Sequence, residues 1–225
     1  MMTTNLSWDD LPGYLQRPAG LARAAVRQGV GVLLVGPPGS EKIAIARRLV
    51  LDIGPSEAML TVATNIHRRA GLLREDEVLE RPPFRAPHHT AGLDGMFGSG
   101  IVSSTNVARV QLQACEFRPG EVSLAHGGIL YLDDVGDYSQ EVLWTLDVIL
   151  RAGEIQIKQW YNRAPAGSYA AEPILVGGTQ PCPCGLYDKC MCLDSDIVRH
   201  WRRLFAVLGH MPMIVRVPLA PEENP

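Results

Sequence analysis

The segment Gly36-Pro-Pro-Gly-Ser-Glu-Lys-Ile43 decides the fold of this chain, because it lies between a strand-like run, residues 30–35, and a helix-like run, residues 42–53. A turn of this composition between a strand and a helix is typical of a phosphate-binding loop. The pattern G-x-x-x-x-G-K-[ST] uses its second glycine for close backbone approach, its lysine for the β- and γ-phosphates and its hydroxyl for Mg²⁺. The candidate nucleotide-contacting residues are Gly36, Pro37, Pro38, Gly39, Ser40, Glu41, Lys42 and Ile43.

Two positions of this loop depart from the pattern. Glu41 takes the place of the second glycine, and Ile43 takes the place of the hydroxyl residue. A carboxylate about 5 Å from a phosphate charge costs about 3 kcal/mol at an effective dielectric near 20, or about a hundredfold in affinity. Isoleucine has no oxygen for Mg²⁺. The sequence therefore predicts that binding of ATP or ADP, and of Mg²⁺, is weakened or lost. An alternative is a tight turn without a ligand, since Pro and Gly mark turns in many proteins.

A second motif follows in Gly128-Ile-Leu-Tyr-Leu-Asp-Asp134, which reads as a short apolar strand that ends in two carboxylates. This is the form of a Walker B strand, in which the first acid, Asp133, holds Mg²⁺ and the second, Asp134, orients the attacking water. Aspartate is one methylene shorter than glutamate. A carboxylate pulled back by about an ångström can be orders of magnitude slower when positioning is the chemistry. The alternative is a buried strand followed by an Asp-rich turn.

Three stretches of the chain match a known family. They are Arg81-Pro-Pro-Phe-Arg-Ala-Pro-His-His89, Arg118-Pro-Gly-Glu-Val-Ser-Leu-Ala-His-Gly-Gly-Ile-Leu-Tyr-Leu-Asp-Asp134 and Gln180-Pro-Cys-Pro-Cys-Gly185. Over residues 8–218 the chain resembles the magnesium-chelatase-like AAA+ ATPases, and within them the branch associated with competence and DNA branch migration. The resemblance implies an α/β P-loop AAA+ core with a five-stranded parallel sheet, helices on both faces, hairpin inserts and a Cys-rich loop. It also implies protein partners in a homo- or hetero-oligomer.

The same resemblance indicates altered catalytic elements. The second Walker B acid is usually glutamate in AAA+ proteins, where this chain has Asp134. The family's sensor 1 is an asparagine that polarises the attacking water, and Gln180 stands there. The family's Asp-Arg pair, whose arginine is the finger, falls on Gly209 and His210, and a trans-acting arginine contributes about 10³ to 10⁵ in turnover. The family continues into a helical lid, so we expect a single AAA+ core domain over residues 1–225 with the lid absent.

Apolar periodicity gives the elements of this core. Helices are predicted at residues 19–28, 42–53, 56–69 and 140–151, and strands at residues 30–35, 84–89, 129–132, 174–176 and 213–217. Such alternation makes a parallel sheet with helices on both faces. Residues 92–117 are interpreted as an extended loop or hairpin insert that contacts a partner or faces a pore. Residues 155–172 are interpreted as a hairpin whose central Trp160 and Tyr161 either grip a partner or pack beneath a loop.

Four of the five cysteines fall in one block, at Cys182, Cys184, Cys190 and Cys192. Two Cys-x-Cys pairs across a short loop can bring four thiolates to one tetrahedral centre, which suits Zn²⁺. A structural zinc site is therefore predicted. Packed free thiols and a redox role are the alternatives, because zinc pairs more often use x₂ to x₄ spacing. The remaining Cys115 is predicted to be a small buried hydrophobe.

Several single residues are weaker candidates. Tyr14 follows a glycine that resembles the family's adenine-side turn, and is a candidate for the base pocket. His88 and His89 are predicted to make structural hydrogen bonds rather than to bind a metal. His126 precedes the Walker B strand and could approach the nucleotide pocket.

Composition sets the broad class. A chain of 225 residues with 46% hydrophobic side chains can bury one sizeable core. The formal charge of -3 gives no electrostatic footprint for nucleic acid, since the usual sign is a strongly basic domain. The cluster Arg199-His-Trp-Arg-Arg203 is interpreted as a solvated helix face, with a local phosphate contact as the alternative. We expect a cytoplasmic protein without a membrane partner, because the sequence has no long apolar run and no signal-peptide pattern.

Three functions agree with these patterns. The first is a pseudo-ATPase that acts as a structural or regulatory subunit, as the resemblance implies for degenerate partners in chelatase complexes. The second is a slow Mg·ATP hydrolase that uses Lys42, Asp133 and Asp134. The third is a zinc-stabilised nucleic-acid-binding module. The first is favoured because the loop, the second Walker acid, sensor 1, the arginine finger and the lid all depart from the family.

Overall fold

A computed structural model describes residues 6–54, 56–100, 117–158, 165–187 and 190–221. Its strands are β1 Val32–Val35, β2 Phe84–Arg85, β3 Gly98–Gly100, β4 Phe117–Pro119, β5 Ile129–Leu132, β6 Glu154–Lys158, β7 Pro165–Ala170, β8 Ile174–Thr179 and β9 Met213–Arg216. Five of them form one parallel sheet in the order β2-β5-β8-β1-β9. The predicted five-stranded α/β fold is confirmed.

Helices surround this sheet. They are α1 Gly13–Val26, α2 Lys42–Arg48, α3 Glu57–Arg69, α4 Leu93–Phe97, α5 Glu121–Leu124, α6 Gln140–Ala152, α7 Asp194–Arg202 and α8 Phe205–Leu208. Side-chain caps fix two of the starts: Ser56 accepts a hydrogen bond from the Met59 amide, and Ser139 accepts one from the Val142 amide. Each cap satisfies an amide that a helix start leaves without a backbone partner.

The core has two halves, one on each face of the sheet. Val32 and Leu34 of β1 pack into a cluster with α1 and α2, whereas Leu33 and Val35 pack into a cluster with α6 and α8. All four residues of β1 are buried, because successive side chains of a strand point to opposite faces and both faces are covered.

Several predicted boundaries are wrong. The first helix begins at Gly13 rather than at residue 19 and runs through Pro18, a residue that usually marks a boundary because it lacks an amide hydrogen. The helix predicted at residues 42–53 is α-helical only to Arg48 and continues as a 3₁₀ turn over Leu49–Asp52. The strand predicted at residues 84–89 pairs only over Phe84–Arg85, since a proline two residues further on cannot donate to a ladder.

The two inserts are confirmed as hairpins in part. β3 pairs antiparallel with β4, and β6 pairs antiparallel with β7. The segment before β3 is not extended, because α4 buries Met96 and Phe97 in the core. Cys115, Trp160 and Tyr161 lie outside the described residues. Within the described part of the chain, no helix has the length and apolarity needed to cross a membrane.

Candidate nucleotide site and cysteine cluster

The candidate nucleotide residues meet at one edge of the sheet. The phosphate-binding loop follows β1, the two Walker B acids follow β5, and Gln180 follows β8. These three strands are direct neighbours. Because ligands of open α/β sheets bind outside the carboxyl ends of the strands, the fold brings the predicted residues together at the expected place.

Glu41 has backbone angles that favour glycine. Its φ of 53° and ψ of 33° lie in the left-handed region, and it caps α2 without a side-chain hydrogen bond. This is the position at which the motif has its second glycine. The loop therefore keeps the backbone path that the missing glycine would take. The Glu41 carboxylate also lies close to Tyr14, whose pKa is raised by burial and by that charge.

Lys42 points into its own loop. Its Nζ donates to the carbonyls of Gly36 and Pro37, each at 3.1 Å, and to Ser40 Oγ at 3.4 Å. Only 7% of the residue is exposed. The ammonium can be buried because the carbonyls of the loop supply the partners that bulk water would otherwise give. Burial lowers the pKa of Lys42, and the nearby Asp134 and Asp133 carboxylates oppose that shift.

Ile43 has no side-chain oxygen that could bind an ion. Its side chain is half-buried and packs beside the core cluster that holds α1 and α2. Ser40 is the buried hydroxyl residue of the loop, and its Oγ accepts from Lys42. The position that would supply a Mg²⁺ ligand in the motif thus contributes packing instead.

The two Walker B acids differ in their surroundings. Asp133 is exposed, and its Oδ1 accepts a 2.8 Å hydrogen bond from the buried Tyr131 hydroxyl. Asp134 is half-buried and has left-handed backbone angles, φ 44° and ψ 62°, which aspartate tolerates better than most residues. Burial and the Asp133 charge raise the pKa of Asp134.

The residues predicted at the sensor and finger positions make hydrogen bonds within the chain. The backbone carbonyl of Gln180 lies 2.9 Å from His200 Nε2. His210, predicted to stand at the arginine-finger position, has its Nε2 2.9 Å from Asp147 Oδ1. Asp147 also accepts from Arg151 at 2.8 Å. The side chain at position 210 is therefore engaged by α6 of its own chain.

The arginines in and just after α7 are exposed, as predicted, and also line the candidate site. Arg199 and Arg203 line a cavity of about 360 Å³ together with Asp134 and Gln180. The charge density of residues 199–203 was the available signal, and it was interpreted as a solvated helix face. Arg199, Arg202 and Arg203 are exposed, and Arg199 pairs with Asp196 at 3.1 Å, which agrees with that interpretation.

The histidine predictions differ in outcome. His88 is exposed and its Nδ1 lies 2.9 Å from Thr90 Oγ1, in a turn rather than on a strand. The predicted structural hydrogen bond is thus present for His88, and the His89 ring lies 4.1 Å from it. His126 is buried, and its Nδ1 accepts from the backbone amide of Glu172. Glu172 precedes β8, so His126 lies at the edge of the sheet opposite the phosphate-binding loop.

The four cysteines of the block come together. Cys182 Sγ lies 3.1 Å from Cys184 Sγ and 3.3 Å from Cys190 Sγ, and Cys184 Sγ lies 3.6 Å from Cys190 Sγ. With Cys192, all four sulfurs lie within 4.8 Å of one another. Hydrogen bonding from Cys182 lowers the pKa of the Cys184 thiol to about 6. This group could hold a metal ion.

Comparison with known proteins gives a consistent result. The family model for magnesium chelatase, subunit ChlI, matches residues 16–224. The uncharacterised protein YifB of Salmonella typhimurium is 31% identical over 94% of this chain and 39% of its own length. The uncharacterised protein Rv2897c of Mycobacterium tuberculosis is 34% identical over 84% of this chain and 34% of its own length. The competence protein ComM of Haemophilus influenzae is 30% identical over 96% of this chain and 40% of its own length.

Solved structures share the fold. A complex of subunits BchI and BchD of magnesium chelatase matches with a TM-score of 0.56 at 18% identity, over 92% of this chain and 60% of that one. NtrX from Brucella abortus in complex with ATP matches with a TM-score of 0.52 at 18% identity, over 93% and 38%. The chain spans 34–40% of the length of the curated relatives named here.

Proposed function

Because this chain belongs to the magnesium chelatase family of AAA+ proteins, we propose that it is a degenerate member whose nucleotide site binds ATP or ADP weakly and does not turn it over. It acts as a structural or regulatory subunit of an oligomeric assembly. The described residues retain the AAA+ sheet and the loop path. Lys42 and Asp133 of the motifs are present, but Glu41, Ile43, Asp134, Gln180 and His210 depart from the residues that the family resemblance implies.

The observation that carries this proposal is the loop itself. Lys42 donates to two carbonyls of its own loop, and Glu41 places a carboxylate where the motif has glycine. A phosphate would have to draw Lys42 away from those carbonyls while meeting the Glu41 charge. Both effects weaken phosphate binding.

The hydrolytic side of the site supports the same conclusion. Asp134, Gln180 and His210 stand where the family resemblance implies a longer glutamate, the sensor asparagine and the finger arginine. His210 is also paired with Asp147. Since hydrolysis by this class depends on positioning and on charge supplied at the transition state, these changes together favour a site without turnover.

Similar proteins support an assembly. The BchI and BchD structure is a complex of two kinds of chelatase subunit. By analogy we infer that this chain joins homo- or hetero-oligomers through its AAA+ core. A cytoplasmic location fits such a role.

The test restores the loop. Glu41→Gly with Ile43→Thr should raise the affinity for Mg·ATP about a hundredfold, because it removes a repelling charge and returns an oxygen ligand. Isothermal titration with and without Mg²⁺ measures this. The matched control, Glu41→Gly with Ile43→Val, returns the glycine without the oxygen, so its gain should not depend on Mg²⁺. A wild-type protein that already binds Mg·ATP at micromolar concentration would contradict the proposal.

Slow ATP hydrolysis is the second candidate. It is favoured by one observation. Burial lowers the pKa of Lys42, but the nearby Asp134 and Asp133 carboxylates oppose that shift, so the lysine and both acids share one site. The arginine that such an enzyme lacks would come from another protein. The zinc-stabilised nucleic-acid-binding module stays a prediction.

A further inference from the structure

We propose that the four-cysteine cluster is a metal-thiolate centre that braces the phosphate-binding loop, so that binding of Zn²⁺ orders the nucleotide site. The nucleotide part of this inference rests on the proposed function. The bracing part rests on contacts between the cysteine block and the loop, and can be tested without nucleotide.

The four sulfur atoms lie close enough together to share one ion. An ion with metal-sulfur bonds of about 2.3 Å holds its sulfurs about 3.8 Å apart. In the structure Cys182 Sγ lies 3.1 Å from Cys184 Sγ and 3.3 Å from Cys190 Sγ, and Cys184 Sγ lies 3.6 Å from Cys190 Sγ. A small expansion of the cluster would therefore admit Zn²⁺. Four thiolates at one centre select zinc over the hard cations that nucleotides carry.

The first contact with the loop is made by Gly185. This residue has a φ of +77°, and a β-carbon added to it would lie 2.7 Å from Pro38 Cδ and 3.0 Å from Gln180 Oε1. The backbone of the cysteine block thus touches the phosphate-binding loop and the sensor side chain together. Such close approach is a reason for glycine at this position.

The second contact is made by Tyr187. Its hydroxyl donates a 2.6 Å hydrogen bond to the backbone carbonyl of Val35, the last residue of β1. The Arg216 guanidinium lies 3.7 Å above the Tyr187 ring, a distance typical of a cation-π contact. The tyrosine is thereby fixed against β9 while it holds the residue from which the loop departs.

Both contacts lie inside the loop that a metal would close. An ion bound by Cys182 and Cys184 on one side and by Cys190 and Cys192 on the other encloses Gly185 and Tyr187. The bound ion restricts the conformations of residues 182–192. Ordering Gly185 and Tyr187 against the phosphate-binding loop therefore costs less conformational entropy in the metal-bound protein than in the metal-free protein. By linkage, whatever orders the phosphate-binding loop also favours the metal-bound state.

The experiment uses the full chain, first loaded with Zn²⁺ and then chelated. Metal analysis should give about one Zn²⁺ per chain, and Co²⁺ should produce the charge-transfer absorption of a thiolate centre. Hydrogen exchange of peptides that cover residues 36–42 should be about tenfold faster after chelation. Cys184→Ser should abolish the Co²⁺ signal, whereas Cys115→Ser, outside the block, should retain it.

Tyr187→Phe separates bracing from metal binding. It should keep the Co²⁺ signal but lose most of the difference in exchange between loaded and chelated protein. The matched control is Tyr138→Phe, which removes a hydroxyl that also bonds a carbonyl at 2.6 Å, that of Pro87. That control should keep the full difference.

Two outcomes would overturn the inference. Protein prepared without chelators that holds no stoichiometric zinc and gives no Co²⁺ signal would leave the cysteines as loop thiols. A metal that binds without changing exchange over residues 36–42 would leave the bracing without support. Neither outcome depends on ATP, so a failure of the proposed function, seen as tight ATP binding, is distinguishable from both.

Discussion

At the scale of single residues, Glu41 adopts a left-handed backbone conformation at the position where the motif has glycine. A residue with a β-carbon in the left-handed region pays about 1 kcal/mol or more, and Glu41 is one of two described non-glycine residues with positive φ. The other is Asp134. Both lie at the candidate nucleotide site, where backbone strain is commonly concentrated.

Glu41→Gly should therefore raise the free energy of unfolding by about 1 kcal/mol, since glycine adopts these angles without strain. Urea denaturation followed by circular dichroism measures the change. Glu141→Gly, at an exposed position in the first turn of α6, is the matched control and should lower stability by about 0.5–1 kcal/mol. Destabilisation by both substitutions would show that Glu41 is not strained.

The sequence identified the loop residues but not the direction of the Lys42 side chain. The motif fixes which residue type stands at each position, because phosphate chemistry demands it. The motif does not fix the direction of the Lys42 side chain when its ammonium group bonds the carbonyls of Gly36 and Pro37 in place of a phosphate. The direction of the side chain depends on the backbone conformation of the folded loop, and a sequence motif does not specify that conformation.

At the scale of elements, β8 carries two glycines because its neighbours leave no room. A β-carbon on Gly178 would lie 2.6 Å from Tyr131 Oη and 3.0 Å from Asp133 Oδ1. The hydrogen bond between those two atoms, at 2.8 Å, thus occupies the space beside the strand. Position 178 therefore requires glycine as long as Tyr131 and Asp133 keep this hydrogen bond.

Gly178→Ala should lower the free energy of unfolding by about 1–3 kcal/mol, because overpacking of a filled core must shift one of these atoms. Gly20→Ala is the matched control. A β-carbon at Gly20, an exposed residue of α1, meets nothing within 4 Å, so the control should gain about 0.5–1 kcal/mol. Thermal and urea unfolding of the two variants give the comparison, and an equally stable Gly178→Ala protein would refute the steric argument.

Element positions were predicted well where apolar periodicity was strong. The Walker B strand has the bounds expected, Ile129–Leu132, and α3 starts at the residue after its Ser56 cap. The early start of α1 was missed since Pro18 reads as a boundary. The short helix α4 was missed because Gly92, Gly95 and Gly98 favour a loop by propensity, and burial of Met96 and Phe97 overrides that preference.

At the scale of the whole molecule, the candidate site is assembled from residues far apart in sequence. The contacts between these residues were therefore harder to predict than the residues themselves. Lys42, Asp133 and Gln180 follow three adjacent strands, as the fold class requires. The contact of Tyr187 with Val35 spans 152 positions. No local pattern predicts such a contact, and it links the cysteine block to the loop.

The last prediction concerns turnover by the intact chain. Phosphate release should stay at background even at millimolar ATP, because Asp134 is short, Gln180 replaces asparagine and His210 is paired with Asp147. Substituting His210→Arg alone should not rescue it, since an arginine there would meet the same Asp147 carboxylate and since Glu41 still opposes the phosphate. Phosphate release is measured together with native mass, so that the oligomeric state is known at each ATP concentration. A turnover of about one per second that Lys42→Ala abolishes would overturn this prediction and favour the slow hydrolase instead.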